Sequence, residues 1–155
     1  MKDRTLIRPI VRADLPALKR IIASTDLFPP DMLEGMMEGH WNGSPDPALW
    51  LTYGDPHPLA IAYAAPEPMT DGCWNLYLIA VHADHHGQGI GRLLMAYVED
   101  TLAVEGVRVL LVETSGDDGF ARTRNFYRQS HYEEEACIRE FYAAGEDKIV
   151  FRKAL

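Results

Sequence analysis

Three glycines alternate between an apolar run and an amphipathic helix, and this junction constrains the fold more than any other part of the chain. The run before them, from Trp74 to Val81, is apolar and aromatic and predicts a largely buried strand. After them, apolar residues recur at helical spacing from Ile90 to Leu102. Glycine permits the sharp turn that must join the two elements and leaves backbone N–H groups uncovered. The sequence therefore predicts a strand, a tight turn and a helix whose N-terminus is open to an anion.

The spacing of these glycines decides which phosphate ligand fits. A dinucleotide-binding fingerprint has glycines at its first, third and sixth positions. Counted from Gly87 the sixth residue is Arg92, and counted from Gly89 it is Leu94. A Walker-type loop ends in Gly-Lys-Ser/Thr, and this stretch has no lysine. Neither nucleotide-binding motif is therefore present.

The stretch from His85 to Leu94 resembles the pyrophosphate loop of the GNAT superfamily of acetyl-CoA-dependent N-acetyltransferases. The pattern of that loop is Arg/Gln-x-x-Gly-x-Gly/Ala after a central strand. On it, His86 takes the Arg/Gln position, and Gly89 and Gly91 take the small positions. The resemblance implies that loop amides bind the pyrophosphate of acetyl-CoA, and a glycine-rich turn without a ligand is the alternative interpretation.

A second stretch, from Thr123 to Tyr132, resembles another motif of this superfamily, Ala-Arg-x-Phe-Tyr-x-x-x-Gly-Phe/Tyr. Thr123 and His131 stand where the motif has alanine and glycine. His131 is then expected to end a helix in the left-handed conformation, which histidine tolerates better than branched residues do. Tyr127 matches the superfamily's frequent general acid.

The order of predicted elements also matches the superfamily. The predicted strands cover residues 5–10, 48–53, 59–65, 74–81, 108–113, 133–142 and 147–152. Four helices are predicted: one begins at Asp14, one begins at Met32, one follows the glycines, and one carries Tyr127. Because it is nearly all apolar, the strand at 108–113 is expected to be covered on both faces and to pair in parallel.

These elements predict a single α/β (α+β) domain over residues 1–155 with the GNAT fold. We expect a mixed, mostly antiparallel sheet of about seven strands flanked by about four helices, with a parallel splayed pair at the centre. A methionine-rich helix from Met32 to Met37 is interpreted as core rather than as pocket wall.

The resemblance implies an acetyl-CoA site in the gap between the strand ending at Val81 and the one ending at Glu113. The pantetheine arm is expected to pair with the central strand, where a backbone amide stabilises the oxyanion of the reaction. The predicted cofactor-binding residues are Ile79, Ala80, Val81, His86, Gly87, Gln88, Gly89, Ile90, Gly91, Arg92 and Arg122.

Two side chains are assigned catalytic roles. Tyr127 is the expected acid, because a phenol of pKa near ~10 can protonate the departing thiolate; an aromatic core residue is the alternative. Glu113 is the predicted base, with Tyr77 as a residue that orients a water, and an exposed strand end is equally consistent with Glu113. The implied function is acetyl transfer to a small-molecule or peptide amine by direct attack on the thioester; alternatively, the chain is a non-catalytic acyl-CoA-binding or sensor module.

Arginines gather around the predicted site. Arg92 lies in the first helical turn after the glycines, and Arg122, Arg124 and Arg128 fall close together further on. They form either a basic site for a polyanionic cofactor or a helix surface balanced by nearby acidic residues, and the sequence favours neither interpretation.

Composition limits the partners and the compartment. The net charge of −8 argues against nucleic acid, and no apolar run approaches the roughly 20 residues that span a bilayer. Cys73 and Cys137 lack a CxxC spacing and, with no secretory segment, indicate a reducing cytoplasm. The histidines before the glycines do not have zinc-ligand spacing, so no metal is expected. Family habit and a strand-rich C-terminus suggest a homodimer.

Overall fold

A seven-stranded sheet runs through the computed structural model, which describes residues 3–155. The strands are β1 (Ile7–Pro9), β2 (Leu49–Tyr53), β3 (Ala60–Pro66), β4 (Cys73–Val81), β5 (Val109–Ser115), β6 (Glu133–Ala143) and β7 (Glu146–Ala154). Their order across the sheet is β1-β2-β3-β4-β5-β7-β6. Every neighbouring pair is antiparallel except β4 and β5. The predicted mixed sheet with one parallel pair at its centre is confirmed.

Five α-helices flank the sheet within residues 3–155. They are α1 (Leu15–Thr25), α2 (Met32–Met36), α3 (Glu38–Trp41), α4 (Ile90–Val104) and α5 (Ala121–Gln129). The number exceeds the expected four because the second predicted helix stops at Met37, where φ is −95° and ψ is 2°. The helix α3 starts directly after this interruption.

The two faces of the sheet have separate apolar clusters. On one face α4 and α5 pack around Leu94 and Phe151, both fully buried. On the other face α1 and α2 pack around Ile22 and Leu33 and reach only β2, β3 and β4. The far half of this second face, formed by β5, β7 and β6, therefore contributes no residue to the α1–α2 cluster. We call it the helix-free face.

This uneven cover corrects the expectation that β5 is buried on both sides. Leu110 and Val112 face α4 and α5 and are buried, whereas Val109, Leu111 and Glu113 are only partly buried on the helix-free face. A continuous apolar run predicts burial on both faces only if helices lie over both. Here the N-terminal helices end before they reach β5.

A bulge in β4 sets the geometry at the centre of the sheet. The register with β3 changes from Tyr63–Leu78 to Ala64–Leu76, so Tyr77 has no partner on β3. The extra residue reverses the alternation of side chains: Leu76 packs with α4 and α5, whereas Leu78 packs with α1. Both faces of the sheet thus receive apolar residues from one strand.

The parallel pairing of β4 and β5 is short. It runs from Cys73–Val109 to Leu76–Val112 and then stops. Both strands continue, but the part of β4 from Tyr77 to Val81 has no strand on its β5 side. The splayed pair expected from the sequence is therefore present.

A charged contact joins the first strand to the first helix. Asp14 accepts two hydrogen bonds from the Arg8 guanidinium, both at 2.8 Å, and one from the Val11 N–H at 2.9 Å. The Arg8 hydrogen bonds hold the pKa of Asp14 below its ordinary value against the opposing effect of burial. β1 is shorter than predicted, because Arg4–Leu6 form a 3-10 turn.

Two further properties concern membranes and thiols. No helix within residues 3–155 is long and apolar enough to cross a bilayer. Cys73 and Cys137 are both free thiols, as expected from their spacing.

Candidate functional site

The glycine-rich loop turns sharply between β4 and α4. Ala83–His85 form a 3-10 turn, after which Gly87 and Gly89 have φ angles of 74° and 82°. These are left-handed conformations that L side chains rarely adopt, which explains glycine at both positions. Gly89 is the residue directly before α4, so the loop ends at the helix N-terminus.

The N–H groups at the start of α4 are open. The amides of Gly89, Ile90 and Gly91 donate to no acceptor within residues 3–155, and no side chain caps the helix. The first helical bond runs from the Leu93 N–H to the Gly89 carbonyl at 3.1 Å. Unpaired amides at the positive end of a helix dipole are an anion site; Gly89 is exposed and Gly91 is half-buried, whereas Ile90 is buried.

Three hydrogen bonds hold this loop in place. The His86 Nε2–H donates to the Val81 carbonyl at 2.7 Å, and the Ala83 N–H donates to Ser24 Oγ of α1 at 3.0 Å. The His86 amide donates to the Ala83 carbonyl at 3.3 Å. The histidine at the first motif position therefore fixes the loop to the end of β4, ahead of the open amides of Gly89, Ile90 and Gly91.

The arginines divide into two groups. Arg124 donates to the carbonyls of Ser115 and Asp117 at 2.7 and 2.8 Å, and Arg128 pairs with Glu134 at 3.2 Å. These two side chains therefore stabilise the fold, as the balanced-surface interpretation requires.

The other two arginines remain available to a ligand. Arg92 and Arg122 are exposed and form no ion pair within residues 3–155. A Cβ on Gly91 of α4 would lie 3.5 Å from the Phe126 ring of α5, so the helices carrying Arg92 and Arg122 are in contact there. For these two residues a basic site for a polyanionic cofactor stays a prediction.

Tyr127 lies in the cluster beneath α4 and α5. Its side chain is only 4% exposed, and its ring contacts Phe126, Tyr132 and Phe151. The same cluster contains Leu76 and Val112, the last pair before β4 and β5 separate. Burial raises the pKa of Tyr127, so its phenol remains protonated near neutral pH. The hydroxyl makes no hydrogen bond to residues 3–155.

A polar cluster lies at the edge of the helix-free face, and sequence reasoning found only part of it. We call it the carboxylate cluster; it consists of Glu67, Asn75, Tyr77, Glu113 and Lys148. The Asn75 amide donates to Glu67 at 2.8 Å and to Glu113 at 3.2 Å. Lys148 pairs with Glu113 at 3.1 Å, and the Tyr77 hydroxyl donates to Glu67 at 3.3 Å. Burial, and then the charge of Glu67, raise the pKa of Tyr77 to about 12.

Glu67 had no signal in the sequence. Glu67 lies between two prolines in a segment whose composition is that of an ordinary turn. It comes beside Tyr77 only because β3 and β4 pair antiparallel. Glu113 and Tyr77 were singled out, and the structure places them in the same cluster as Glu67.

An open cleft of about 560 Å³ begins beside this cluster. Trp50, Tyr63 and Pro66 form an apolar wall, and His40 and Asp46 add polar groups. Met36 also lines the cleft and is 37% exposed, whereas Leu33 and Met37 are buried. The interpretation of the methionine-rich helix as core is therefore wrong for Met36 and also for Met32, which is 55% exposed.

Within residues 3–155, no group of three or more histidine, cysteine or acidic side chains is arranged to hold a metal ion.

A split sheet with an open helix N-terminus at the end of its central strand defines an anion-binding α/β protein. A family model described as the acetyltransferase (GNAT) family matches residues 16–132. The chain belongs to the GNAT acetyltransferase family. The resemblance found in the sequence is thereby confirmed, and with it acetyl-CoA as the cosubstrate expected of a member. No curated protein sequence matches the chain.

Solved structures share the fold over nearly its full length. A Desulfovibrio desulfuricans protein assigned to the GNAT family of acetyltransferases is 30% identical in sequence to this chain. Its TM-score is 0.89, and the match covers 96% of this chain and 97% of that chain. The ribosomal-protein-S18-alanine N-acetyltransferase of Escherichia coli is 24% identical with a TM-score of 0.75, over 96% and 92%. An aminoglycoside 6'-N-acetyltransferase complexed with coenzyme A is 16% identical with a TM-score of 0.76, over 96% of both chains. The last two are similar in fold alone.

Proposed function

We propose that this protein is an N-acetyltransferase that moves the acetyl group of acetyl-CoA to a primary amine, which attacks the thioester directly. One observation carries the proposal: an uncapped N-terminus of α4 stands at the end of a strand that loses its neighbour after Leu76. The amides offer a diphosphate site. The unpaired edge of β4 offers backbone groups to an extended chain.

The cofactor site uses backbone groups more than side chains. The amides of Gly87, Gly89, Ile90 and Gly91 bind the pyrophosphate, with Gln88 and His86 shaping the loop. A Cβ added at Gly87 or Gly89 would meet no heavy atom within 4 Å, so the space above the turn is open to phosphate oxygens.

Charge and strand edge complete the cofactor site. Arg92 and Arg122 neutralise phosphate charge from the solvent side. Ile79, Ala80 and Val81 contribute backbone groups to the pantetheine arm, and a β4 amide stabilises the oxyanion. The carbonyl of Val81 already accepts from His86, so Ile79 and Ala80 carry most of this pairing.

Catalysis requires three proton transfers. Glu113 accepts the proton of the acceptor ammonium directly or through a water, which leaves a neutral amine for the attack. Tyr127 donates its phenolic proton to the sulfur as the C–S bond breaks, and the second proton that the acylated nitrogen loses restores the phenol through water. Because burial keeps Tyr127 protonated, the donor form is the populated one over the physiological pH range.

A second function is favoured by one observation. Tyr127 is as buried as an ordinary core residue, and its ring packs on three aromatic neighbours. A domain that binds an acyl-CoA as a sensor, without catalysis, has the same loop, but its tyrosine does not serve as a general acid. Calorimetric titration with CoA and release of free thiol from acetyl-CoA with a panel of amines separate the two functions. We expect both binding and thiol release; binding without release supports the sensor, and no binding contradicts both.

The acceptor, the assembly and the compartment are further parts of the proposal. We propose a small-molecule or peptide amine as acceptor, without nucleic acid. All of β6 is exposed at the sheet edge, including Ile138 and Phe141, and we propose that it pairs with a second copy of the chain in a homodimer. Sedimentation at micromolar concentration tests the dimer. Two free thiols agree with a reducing cytoplasm as the compartment.

A further inference from the structure

Asn75 lies at the centre of the carboxylate cluster, and its side-chain oxygen is an unsatisfied hydrogen-bond acceptor. Its side chain is 1% exposed, and its amide nitrogen donates to Glu67 and Glu113 together. Its Oδ1 is buried and accepts from no described group. A buried acceptor between two carboxylates indicates that a donor with several N–H groups belongs nearby.

The charges of the cluster do not balance. Lys148 pairs with Glu113, but no cation lies within 4 Å of Glu67 among residues 3–155. Glu67 is partly buried, and its described donors, Asn75 and Tyr77, are both neutral. Two carboxylates and one ammonium leave one negative charge, and it resides on Glu67. A second cation is the group that completes this arrangement.

The cluster lies where the sheet opens. Tyr77 is the bulged residue of β4, next to the point at which β4 and β5 separate. Its side chain is 47% exposed and stacks on Tyr63, which packs with the α1 cluster. The cluster is therefore on the face opposite α4 and α5. A group held by Glu67 reaches the opening from the side opposite the two helices.

The cleft adjoins the cluster through Tyr63, Pro66 and Pro68, which line it, although no residue of the cluster itself does. Tyr63 lies between Trp50, at 3.9 Å and 8° between ring planes, and Tyr77, at 5.6 Å and 28°. Pro66 and Pro68, on either side of Glu67, both line the cleft. A volume of about 560 Å³ falls in the range that encloses small molecules.

We propose that Glu67, with Tyr77, binds the ammonium of the acceptor, and that the acceptor is a small primary amine with an aromatic or apolar body lying in this cleft. Asn75 holds Glu67 beside Glu113, so that the bound ammonium faces the group that takes its proton. The aromatic wall accommodates the body, and the exposed ring of Tyr77 favours a cation beside it. This inference rests on the proposed function and names the acceptor class for it.

The test compares Glu67→Gln with a control that removes a similar charge elsewhere. Glu134→Gln is the control, because Glu134 is on β6 and pairs with Arg128 on the surface. In the Glu67→Gln variant the side-chain carbonyl can still accept from Asn75 and Tyr77, so this variant should fold. The probes are 2-phenylethylamine and, as its uncharged analogue, 2-phenylethanol. The measurements are kcat and KM for the amine, the CoA dissociation constant, and inhibition by the alcohol.

We expect Glu67→Gln to raise KM for the amine by about tenfold or more, with a smaller change in kcat and an unchanged CoA dissociation constant. The Glu134→Gln variant should match the wild type, and the alcohol should inhibit both the wild type and Glu67→Gln equally weakly. If the wild type acetylates the amine and Glu67→Gln keeps its KM within about twofold, Glu67 does not bind the ammonium although the acetyltransferase function stands. An alcohol that binds as tightly as the amine also overturns the inference. Failure of the wild type to bind CoA instead contradicts the proposed function.

Discussion

Substituting alanine for Gly89 tests the phosphate site at the N-terminus of α4, and the same change at Gly106 controls for strain. Both glycines have positive φ angles, 82° and 87°. At neither would a new Cβ meet a heavy atom within 4 Å. Gly89 directly precedes α4, and the Gly106 N–H donates to the Ala103 carbonyl after its last turn. The two substitutions therefore impose a similar backbone cost at opposite ends of one helix.

The expected loss of stability follows from that shared conformation. A residue with a side chain costs about 1–2 kcal/mol when held in the left-handed region. In a chain of this size, 1 kcal/mol lowers Tm by about 2–4 °C. Each variant should therefore melt roughly 2–8 °C below the wild type in calorimetry.

Only the change at Gly89 should affect the cofactor. It adds a methyl group beside the open amides of Ile90 and Gly91 and biases the turn away from its bound form. We expect the CoA dissociation constant to rise by at least about tenfold, which is about 1.4 kcal/mol. Calorimetric titration with CoA, at a temperature where both variants are folded, measures this difference.

Gly91→Ala provides a second comparison. Gly91 is helical, and its new Cβ would contact the Phe126 ring at 3.5 Å, an ordinary van der Waals distance. Its CoA affinity should stay within about threefold of the wild type. If Gly89→Ala and Gly106→Ala lose equal stability while both keep wild-type CoA affinity, the amides of this turn do not bind phosphate, and the assignment of the loop is refuted.

Three other variants test the chemistry and the fold. Tyr127→Phe should lower kcat by about a hundredfold without changing Tm or CoA affinity. Tyr132→Phe is its control: it loses a hydrogen bond to the Glu99 carboxylate, so the free energy of unfolding should fall by about 1 kcal/mol while kcat stays unchanged. Equal kcat values for the two variants contradict the role of Tyr127 as the acid. Glu113→Gln should lower kcat by at least about tenfold; an unchanged kcat excludes it as the base. Asp14→Asn should cost about 3 kcal/mol in urea unfolding. Because Arg8 lowers the pKa of Asp14, its contribution is complete above the ordinary value of 3.8 and is lost as the pH falls through the lowered pKa; a variant with the same acid slope as the wild type contradicts this.

Local patterns were sufficient to predict the elements and their order. The helical spacing of Leu15, Leu18, Ile21 and Ile22 predicts a buried stripe of α1; the last three are fully buried, and Leu15 packs partly buried against the same cluster. The motif comparison predicted a left-handed His131, and its φ is 69°. These features depend on residues close in sequence, where steric limits and periodic burial act directly.

Features that depend on distant segments were not predictable. The sequence does not reveal the bulge at Tyr77. Residues 76–79 are all apolar or aromatic, so a break in the alternation of side chains between the two faces of the sheet does not change the hydrophobic pattern. Glu67 becomes part of the site only when β3 and β4 pair. The exposed side of β5 likewise depends on where α1 and α2 end, which no pattern within β5 records.

In the proposed function, the separation of β4 and β5 is a window through the sheet that one reactant enters from each side. The helix α4, whose N-terminus is open, packs on one face, and Trp50 and Tyr63 of the cleft belong to the cluster on the other. Neither entrance obstructs the other, so both reactants can be present at once and depart in separate steps. The corresponding kinetic behaviour is a ternary-complex scheme with intersecting double-reciprocal lines, in which free CoA competes with acetyl-CoA but not with the amine.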